Sequence, residues 1–256
     1  MSLPFAETVG EGPELVLLHG WGLHAGIYEP IRAELTAQFR VTFVDLPGFG
    51  RSAAPTEPYS LTMLRDQVLS VAPAKAHYLG WSLGGLVATQ IAIDAPARVN
   101  KLITLCSNPR FLQGDDWPHA MKPEVLDTFT RSLEQDYQAT LLRFLAISSM
   151  GSETQKDDLK QLKERLFIYG TPSTDALRGG LALLHDADVR SRLHEIQLPF
   201  LRLYGQLDAL VPAKVAADVQ ALSPRSEQHV FRHASHAPFL SHKRDFIDVV
   251  TGWLRD

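Results

Sequence analysis

The stretch HYLGWSLGGLVA, residues 77–88, decides the fold. It begins with a short apolar run, passes through the pattern G-x-S-x-G at 80–84, and continues as a segment that is apolar almost all round. A short apolar run closed by glycine is typical of a strand buried on both faces, and the longer segment after it predicts a buried helix. The stretch therefore predicts a strand, a sharp turn at Ser82 and a helix.

Similar apolar runs recur on both sides of this stretch, and segments with helical spacing lie between them. The spacing of Ile27, Ile31 and Leu35 is one helical stripe, and that of Leu61, Leu64 and Val68 is another. Alternating strands and helices predict an α/β fold with a doubly wound, mostly parallel sheet, whose ligand sites lie at the carboxyl ends of the strands. The other predicted strands are 15–18, 41–46, 102–106, 200–204 and 228–231.

Residues 108–198 break this alternation. Their apolar residues recur at helical spacing, as in Leu126, Phe129 and Leu133, and no convincing strand precedes Pro199. We interpret this segment as a helical lid inserted between two strands of one sheet, since such an excursion usually covers a site. The prediction is a single domain over 1–256, with its core at 1–107 and 199–256 and its lid at about 108–198.

Composition excludes several classes of protein. The 25 basic and 29 acidic side chains give a net charge of −4, whereas a nucleic-acid binder usually carries a basic excess. No apolar run approaches the length of a membrane span, and residues 1–10 lack the pattern of a signal peptide. A single cysteine, Cys106, suits a reducing compartment. We therefore expect a cytoplasmic protein that binds neither membrane nor nucleic acid, and the short apolar stripes suit a monomer.

The motif at 80–84 carries the first chemical prediction. A serine between glycines at a strand-to-helix turn presents its hydroxyl at the helix N-terminus, which is the arrangement of a nucleophile elbow; the alternative is a glycine-rich turn with a helix-capping serine. A serine nucleophile needs a histidine base that is oriented by a carboxylate, and in this architecture the order is Ser, acid, His. Ser82, Asp208 and His236 follow that order, each just past a predicted strand.

Other residues compete for these roles. Among the ten histidines, His233 is the second choice for the base because it lies three residues nearer the strand. Asp186 and Asp188 are rivals for the acid, but they precede the strand that should present it.

The oxyanion that forms during acyl transfer needs two donors. The backbone N–H of Leu83, one past the nucleophile, is predicted to be one of them. The loop at 19–22, HGWG, offers flexible glycines around Trp21, whose backbone N–H is the predicted second donor. The alternative reading of His19 and Gly20 is a plain turn that ends a strand.

Taken together, these residues resemble the α/β-hydrolase superfamily, and within it the family of carboxylesterases that act on pimeloyl-acyl carrier protein methyl esters. Motifs common to the superfamily are HG at 19–20, VDLPGFGRS from Val44 and G-x-S-x-G. Further supporting runs are LVLLHGWGL from Leu15, LGWSLGGLVA from Leu79, RFLA from Arg143, PFLRLYG from Pro199 and HAPF from His236. Within them, HGWGL, GWSLGG and RFLA are more particular to the esterases.

The resemblance implies hydrolysis of a methyl ester on a pimeloyl chain borne by acyl carrier protein, in biotin synthesis. It makes Ser82 the nucleophile, His236 the base and Asp208 the acid. It implies that basic lid residues dock the acidic carrier, here Arg143, Lys156 and Lys160, although Ala139 stands where the family can have arginine. The implied substrate-binding residues are Trp21, Ser82, Leu83, Phe144, Leu145, Ala146, Ile147, Ser148 and His236.

The lysines can also be read without the resemblance. Lys156, Lys160 and Lys163 share one face of a predicted helix whose buried face carries Leu159, Leu162 and Leu166. A basic stripe can steer an acidic partner, but a solvated charged face is the more usual meaning of such a helix.

The expected chemistry uses no metal and no organic cofactor. Alternatives on the same fold are a broad short-chain carboxylesterase, a C–C bond hydrolase and a perhydrolase, and a non-catalytic ligand receptor is a further one. Serine at position 82 argues against dehalogenases and epoxide hydrolases, which resemble this layout but have aspartate there.

Overall fold

A single sheet of seven strands organises residues 3–256, the part of the chain that the computed structural model describes. The strands are β1 (Ala6–Val9), β2 (Glu14–Leu18), β3 (Arg40–Val44), β4 (Ala76–Trp81), β5 (Val99–Leu105), β6 (Phe200–Gly205) and β7 (Glu227–Phe231). Their order across the sheet is β1-β3-β2-β4-β5-β6-β7. Only β1 runs antiparallel to its neighbour, so the mostly parallel sheet predicted from the sequence is confirmed.

Ten α-helices connect and flank these strands within residues 3–256. In the core they are α1 (Glu29–Thr36), α2 (Leu61–Val71), α3 (Leu83–Asp94), α8 (Val215–Leu222), α9 (Pro238–Ser241) and α10 (Lys243–Arg255). Between β5 and β6 they are α4 (Pro123–Gln135), α5 (Tyr137–Ser149), α6 (Gln155–Leu166) and α7 (Thr174–Asp186). None of these helices is both long enough and apolar enough to cross a bilayer.

The core elements follow from the apolar runs. All six predicted strands form, and the central β4 is buried along its whole length between β2 and β5. β5 ends at Leu105 because Cys106 adopts a left-handed backbone with φ of 45°. β1 was not predicted, since its residues are only partly buried and carry no apolar run.

The segment 108–198 contains α4–α7, and no strand of the main sheet lies in it. The apolar stripe of α4 is buried at Leu126, Phe129 and Leu133, as its spacing predicts. In α5 the buried residues include Leu141, Phe144 and Leu145. The helical character of the lid is therefore confirmed, and its apolar faces turn toward the rest of the protein.

A buried carboxylate joins the loops at the carboxyl ends of β2 and β3. Asp45 accepts hydrogen bonds from the backbone N–H of Ala25 at 2.7 Å and from Arg51 Nε at 2.7 Å. Burial acts to raise the pKa of this carboxyl, but the hydrogen bonds from Arg51 and Ala25 outweigh burial and lower it. Asp45 thus remains ionised and fixes two of the loops that surround the candidate site.

Candidate active site

Ser82 lies between β4 and α3 in a strained conformation, with φ of 54° and ψ of −119°. A non-glycine residue there costs about 1–3 kcal/mol, which the surrounding structure must offset. Flanking glycines permit it: a Cβ on Gly80 would lie 2.1 Å from the carbonyl oxygen of Gly84, and one on Gly84 would lie 2.3 Å from that of Leu18. The hydroxyl of Ser107 also donates to the carbonyl oxygen of Ser82 at 2.7 Å. The turn predicted from G-x-S-x-G is therefore present.

Asp208 and His236 form a buried pair beyond the carboxyl ends of β6 and β7. Their side chains approach at 2.7 Å between Oδ2 and Nδ1, with 0% and 1% exposure respectively. The other carboxylate oxygen of Asp208 accepts the backbone N–H groups of Leu210 at 2.8 Å and Val211 at 2.9 Å. Because the carboxylate accepts from Nδ1–H, His236 has its lone pair on Nε2.

The Nε2 atom of His236 is buried and has no hydrogen-bond partner within residues 3–256. A buried polar atom without a partner is uncommon and is a feature of groups that act on a substrate. This imidazole is therefore oriented, desolvated and free to accept a proton.

The structure also separates His236 and Asp208 from their rivals. His233 is 62% exposed and faces Glu153 at 3.5 Å, on the protein surface. Asp188 pairs with Arg190 at 2.7 Å, and Asp186 lies beside His185. Only Asp208 among the three acids contacts His236.

The two predicted oxyanion donors lie on different segments: Trp21 is in the loop after β2, and Leu83 is at the start of α3. A Cβ on Gly20 would lie 3.2 Å from the Cβ of Ser82, so the backbone beside Trp21 passes close to the serine. Leu83 is the first residue of α3, and its N–H therefore has no acceptor within the helix. The assignment of Trp21 and Leu83 as oxyanion donors stays a prediction.

His19 fixes this loop, a role that the sequence did not reveal. Its Nδ1 lies 2.8 Å from the carbonyl oxygen of Gly20, and its Nε2 accepts the backbone N–H of Leu46 at 2.8 Å. Burial lowers the pKa of His19 to about 4, so the ring is neutral near pH 7 and accepts through Nε2. The two bonds join the loops after β2 and β3.

Cys106 lies against the Asp208–His236 pair, with potential ligand atoms of all three residues within 4.8 Å of one another. Burial, followed by the nearby Asp208 charge, raises the pKa of the Cys106 thiol. A protonated thiol is a poor metal ligand, and Nδ1 of His236 is already bonded to Asp208. This trio therefore does not make a favourable metal site.

A narrow apolar cavity opens beside Ser82. Its walls come mainly from the lid helices, which cover the carboxyl edge of the sheet. The lining residues are Ser82, Phe111, Met121, Leu126, Phe129, Phe144, Leu181, Leu184 and Leu210. Because these walls are almost wholly apolar, they favour an apolar group over a charged one.

The predicted substrate-binding stretch 144–148 divides into different environments. Phe144 borders the cavity and packs against Trp21 with ring centroids 5.1 Å apart. Leu145 is buried, whereas Ala146 and Ile147 are half-buried, and none of the three borders this cavity. The carbonyl oxygen of Ser148 accepts the backbone N–H of His236 at 3.0 Å. Leu181 and Leu184 of α7, by contrast, line the cavity but were not predicted, because apolar residues facing a core and a cavity give the same pattern.

The predicted docking residues are all on the outer surface of the lid. Arg143 on α5 and Lys156 and Lys160 on α6 are exposed, and Ala139 is exposed on α5. Lys160 approaches Glu164 at 3.9 Å. As predicted, Leu162 and Leu166 of α6 are buried while Lys163 is exposed; Leu159 is half-buried.

The chain is similar to known proteins over most of its length. Residues 13–243 match the family model described as alpha/beta hydrolase fold. The pimeloyl-[acyl-carrier protein] methyl ester esterase of Cronobacter sakazakii is 49% identical over 95% of this chain and 94% of that protein. The protein of the same name from Serratia marcescens is 46% identical over 99% of each.

Solved structures are similar at lower identity. The esterase EaEST from Exiguobacterium antarcticum has a TM-score of 0.87 at 24% identity, covering 99% of this chain and 96% of that one. The enol-lactonase from Burkholderia xenovorans has a TM-score of 0.86 at 20% identity over the same shares. The similarity to these solved structures shows the fold. The similarity to the esterases of Cronobacter and Serratia shows the group within the family. The chain belongs to the α/β-hydrolase family, in the group of the pimeloyl-[acyl-carrier protein] methyl ester esterases.

Proposed function

We propose that this protein is a serine carboxylesterase that hydrolyses the methyl ester of pimeloyl-acyl carrier protein, releasing methanol and pimeloyl-acyl carrier protein for biotin biosynthesis. The observation that carries the proposal is the buried Asp208–His236 pair, in which Nε2 has no partner within residues 3–256 and the imidazole packs against Trp81, directly before the strained Ser82. The names of the relatives in Cronobacter and Serratia supply the substrate. A monomer in the cytoplasm is part of the proposal.

Acylation uses the three residues in sequence. Ser82 Oγ attacks the ester carbonyl carbon while Nε2 of His236 takes the hydroxyl proton, and Asp208 stabilises the imidazolium that results. The tetrahedral oxyanion lies between the backbone N–H groups of Trp21 and Leu83. When the intermediate collapses, the C–O bond to the methoxy group breaks, and His236 gives its proton to the departing methanol.

Deacylation repeats these steps with water as the nucleophile. His236 takes a proton from water, the resulting hydroxide attacks the acyl-serine carbonyl, and the same donors hold the second oxyanion. The proton then returns to Ser82 Oγ as the acid is released. In both half-reactions the proton moves through Nε2 of His236. The other ring nitrogen, Nδ1, is bonded to Asp208.

The lid supplies the substrate selectivity in this proposal. Phe144 and the other apolar wall residues hold the pimeloyl chain, and the rest of the 144–148 stretch continues the helix that carries Phe144. The acidic carrier docks on the exposed Arg143, Lys156 and Lys160, because opposite charges steer association at a solvated surface. The ester group thereby reaches Ser82 while the carrier stays outside.

The decisive experiment compares Ser82→Ala with the unchanged protein on three substrates: carrier-bound pimeloyl methyl ester, free pimeloyl methyl ester and short acetate esters. We expect Ser82→Ala to abolish turnover of all three with no change in fold, and the unchanged protein to prefer the carrier-bound ester. Growth of a biotin-requiring strain lacking this esterase should be restored by the unchanged gene and not by Ser82→Ala. Equal kcat/KM on all three esters would overturn the substrate, and an active Ser82→Ala would overturn the mechanism.

Labelling separates the remaining class of function, a receptor that binds without turnover. A fluorophosphonate should react with Ser82, and the extent of labelling gives the number of reactive serines. Unlabelled protein should then release many molecules of methanol per reactive serine when it is given the ester. A protein that is labelled but releases no methanol would be a receptor on a hydrolase scaffold.

A further inference from the structure

The backbone of His236 is held from two directions. Its N–H donates to the carbonyl oxygen of Ser148, at the C-terminal end of α5, at 3.0 Å. Its carbonyl oxygen accepts the indole N–H of Trp81 at 2.7 Å. Because His236 lies in the loop between β7 and α9, no regular ladder of hydrogen bonds fixes it. These two hydrogen bonds therefore fix the backbone of His236, as the ladder of hydrogen bonds fixes residues within the strands.

The Trp81 donor is itself rigid. Its side chain is fully buried, and its backbone pairs with Leu105 in the register of β4 with β5. The indole packs edge-on against Phe239 at 5.2 Å, and a Cβ on Gly20 would lie 3.2 Å from the ring. The indole N–H therefore has little freedom to move, and it holds the carbonyl oxygen of His236 at a defined position.

Trp81 also directly precedes Ser82 in the chain. The indole also packs against the imidazole of His236, with ring centroids 5.5 Å apart and the two rings tilted at 48°. The segment that presents the serine hydroxyl therefore also sets the position of the residue that must take its proton. Asp208 cannot do this alone, because one hydrogen bond to Nδ1 leaves the ring free to tilt about that bond.

We propose that Trp81 is a positioning residue whose indole N–H sets the approach of His236 Nε2 to Ser82. This inference rests on the proposed role of His236 as the general base. A small displacement of a general base is costly, since proton transfer needs heavy atoms within hydrogen-bond reach, and a misplacement of about 1 Å can cost about 100-fold in rate. Both acylation and deacylation pass through the same nitrogen, so the loss should appear in kcat whichever step limits turnover.

The test removes the indole N–H and keeps its shape. Replacing Trp81 by β-(3-benzothienyl)alanine exchanges N–H for sulfur in a ring of nearly the same outline, and Trp81→Phe is the second variant. We expect kcat on the free pimeloyl methyl ester to fall about tenfold while KM changes less than about twofold. The rate of Ser82 labelling by a fluorophosphonate should fall in parallel.

The matched control is the same replacement at Trp117. That indole is also buried and donates to a backbone carbonyl, that of Arg110, at 2.9 Å. Trp117 does not line the cavity beside Ser82. The variant at position 117 should therefore lose a comparable amount of stability while its kcat stays unchanged. Thermal unfolding of each variant confirms that the protein measured is folded.

A fall in kcat of at least about fivefold at position 81, with KM and the Trp117 control unchanged, supports the positioning role. A smaller fall, or an effect confined to KM or to thermal stability, overturns it and leaves Trp81 as a packing residue. Ser82→Ala distinguishes this failure from failure of the proposed function. If Ser82→Ala is inactive while the position-81 variant is fully active, only the inference about Trp81 is wrong.

Discussion

The core and the lid fix their functional groups in different ways. In the core, His19, Asp45 and Asp208 are buried, and each has defined backbone or side-chain partners at 2.7–2.9 Å. On the lid, Arg143 and Lys156 are exposed and form no ion pair within residues 3–256, and the inner face presents apolar side chains to the cavity. The core therefore holds its polar groups in one defined geometry, whereas the lid offers apolar contact area on its inner face and positive charge on its outer face. We therefore expect core changes to affect every ester and lid changes to affect only some.

The largest effect is expected from Asp208→Asn. The amide would no longer favour the tautomer of His236 with its proton on Nδ1, and kcat should fall about 10⁴-fold on free and carrier-bound esters alike. Steady-state kinetics on both substrates measures this. Asp188→Asn is the control, because Asp188 pairs with Arg190 away from His236. An equal loss in that control would contradict the assignment of the acid.

A second prediction concerns the stability of the core toward acid. The pKa of His19 is about 4 in the folded state against 6.5 for the ordinary side chain, because burial disfavours its charge. Between these values the unfolded chain binds a proton that the folded protein does not. The contribution of His19 is therefore complete above pH 6.5 and is lost as the pH falls toward 4, by about 3 kcal/mol.

Urea unfolding at a series of pH values between 7 and 4 measures this loss. In His19→Asn the free energy of unfolding should be lower at pH 7 but should depend less on pH. His185→Asn, at an exposed site, should keep the pH dependence of the unchanged protein. Identical slopes for the unchanged protein and His19→Asn would refute the prediction.

A third change tests the lid surface. Combining Arg143→Glu, Lys156→Glu and Lys160→Glu should lower kcat/KM for the carrier-bound ester about tenfold, because the acidic carrier then meets like charge. The free methyl ester should be hydrolysed at an unchanged rate, and added salt should reduce the difference between the two proteins.

The matched control reverses three exposed cations of the core, Lys75, Lys214 and Arg225. It changes the net charge by the same amount and should leave both activities unaltered. If this control slows the carrier-bound reaction equally, whole-molecule charge rather than the lid surface governs docking.

The smallest effect is expected from Ala139→Arg. Ala139 is exposed on α5, one turn before Arg143, so a cation there extends the basic surface. A surface charge pair contributes about 0.2–1 kcal/mol, so KM for the carrier-bound ester should fall about fivefold at most. A similar gain on the free ester would mean that the residue acts on the cavity and not on the carrier.

Much of the core could be predicted from its sequence because the governing patterns are local. Apolar runs closed by glycine predict β2, β4 and β6, and the loops at their carboxyl ends must meet at one edge of the sheet. That topology is enough to bring Asp208 to His236 from 28 residues away. β1 could not be predicted in the same way, because a half-buried edge strand depends on its partner β3 and not on a run of its own.

The lid was less predictable in detail. The sequence analysis did not identify Leu181 and Leu184, because an apolar helical residue does not reveal whether a core or a cavity lies against it. His19 presents a similar limit, since its acceptor role depends on the N–H of Leu46, which only the folded chain brings near. In both cases the missing information is the neighbour across space.

The bond from the N–H of His236 to the carbonyl oxygen of Ser148 has a consequence for protein engineering. Lids are natural units to exchange between hydrolases when a new specificity is wanted. Here the end of α5 is also a structural support for the base, so a transplanted lid must supply a carbonyl at the same point in space. A chimera joined before residue 144 and again after residue 149, leaving the C-terminal part of α5 native, preserves that support while the remaining lid is free to vary.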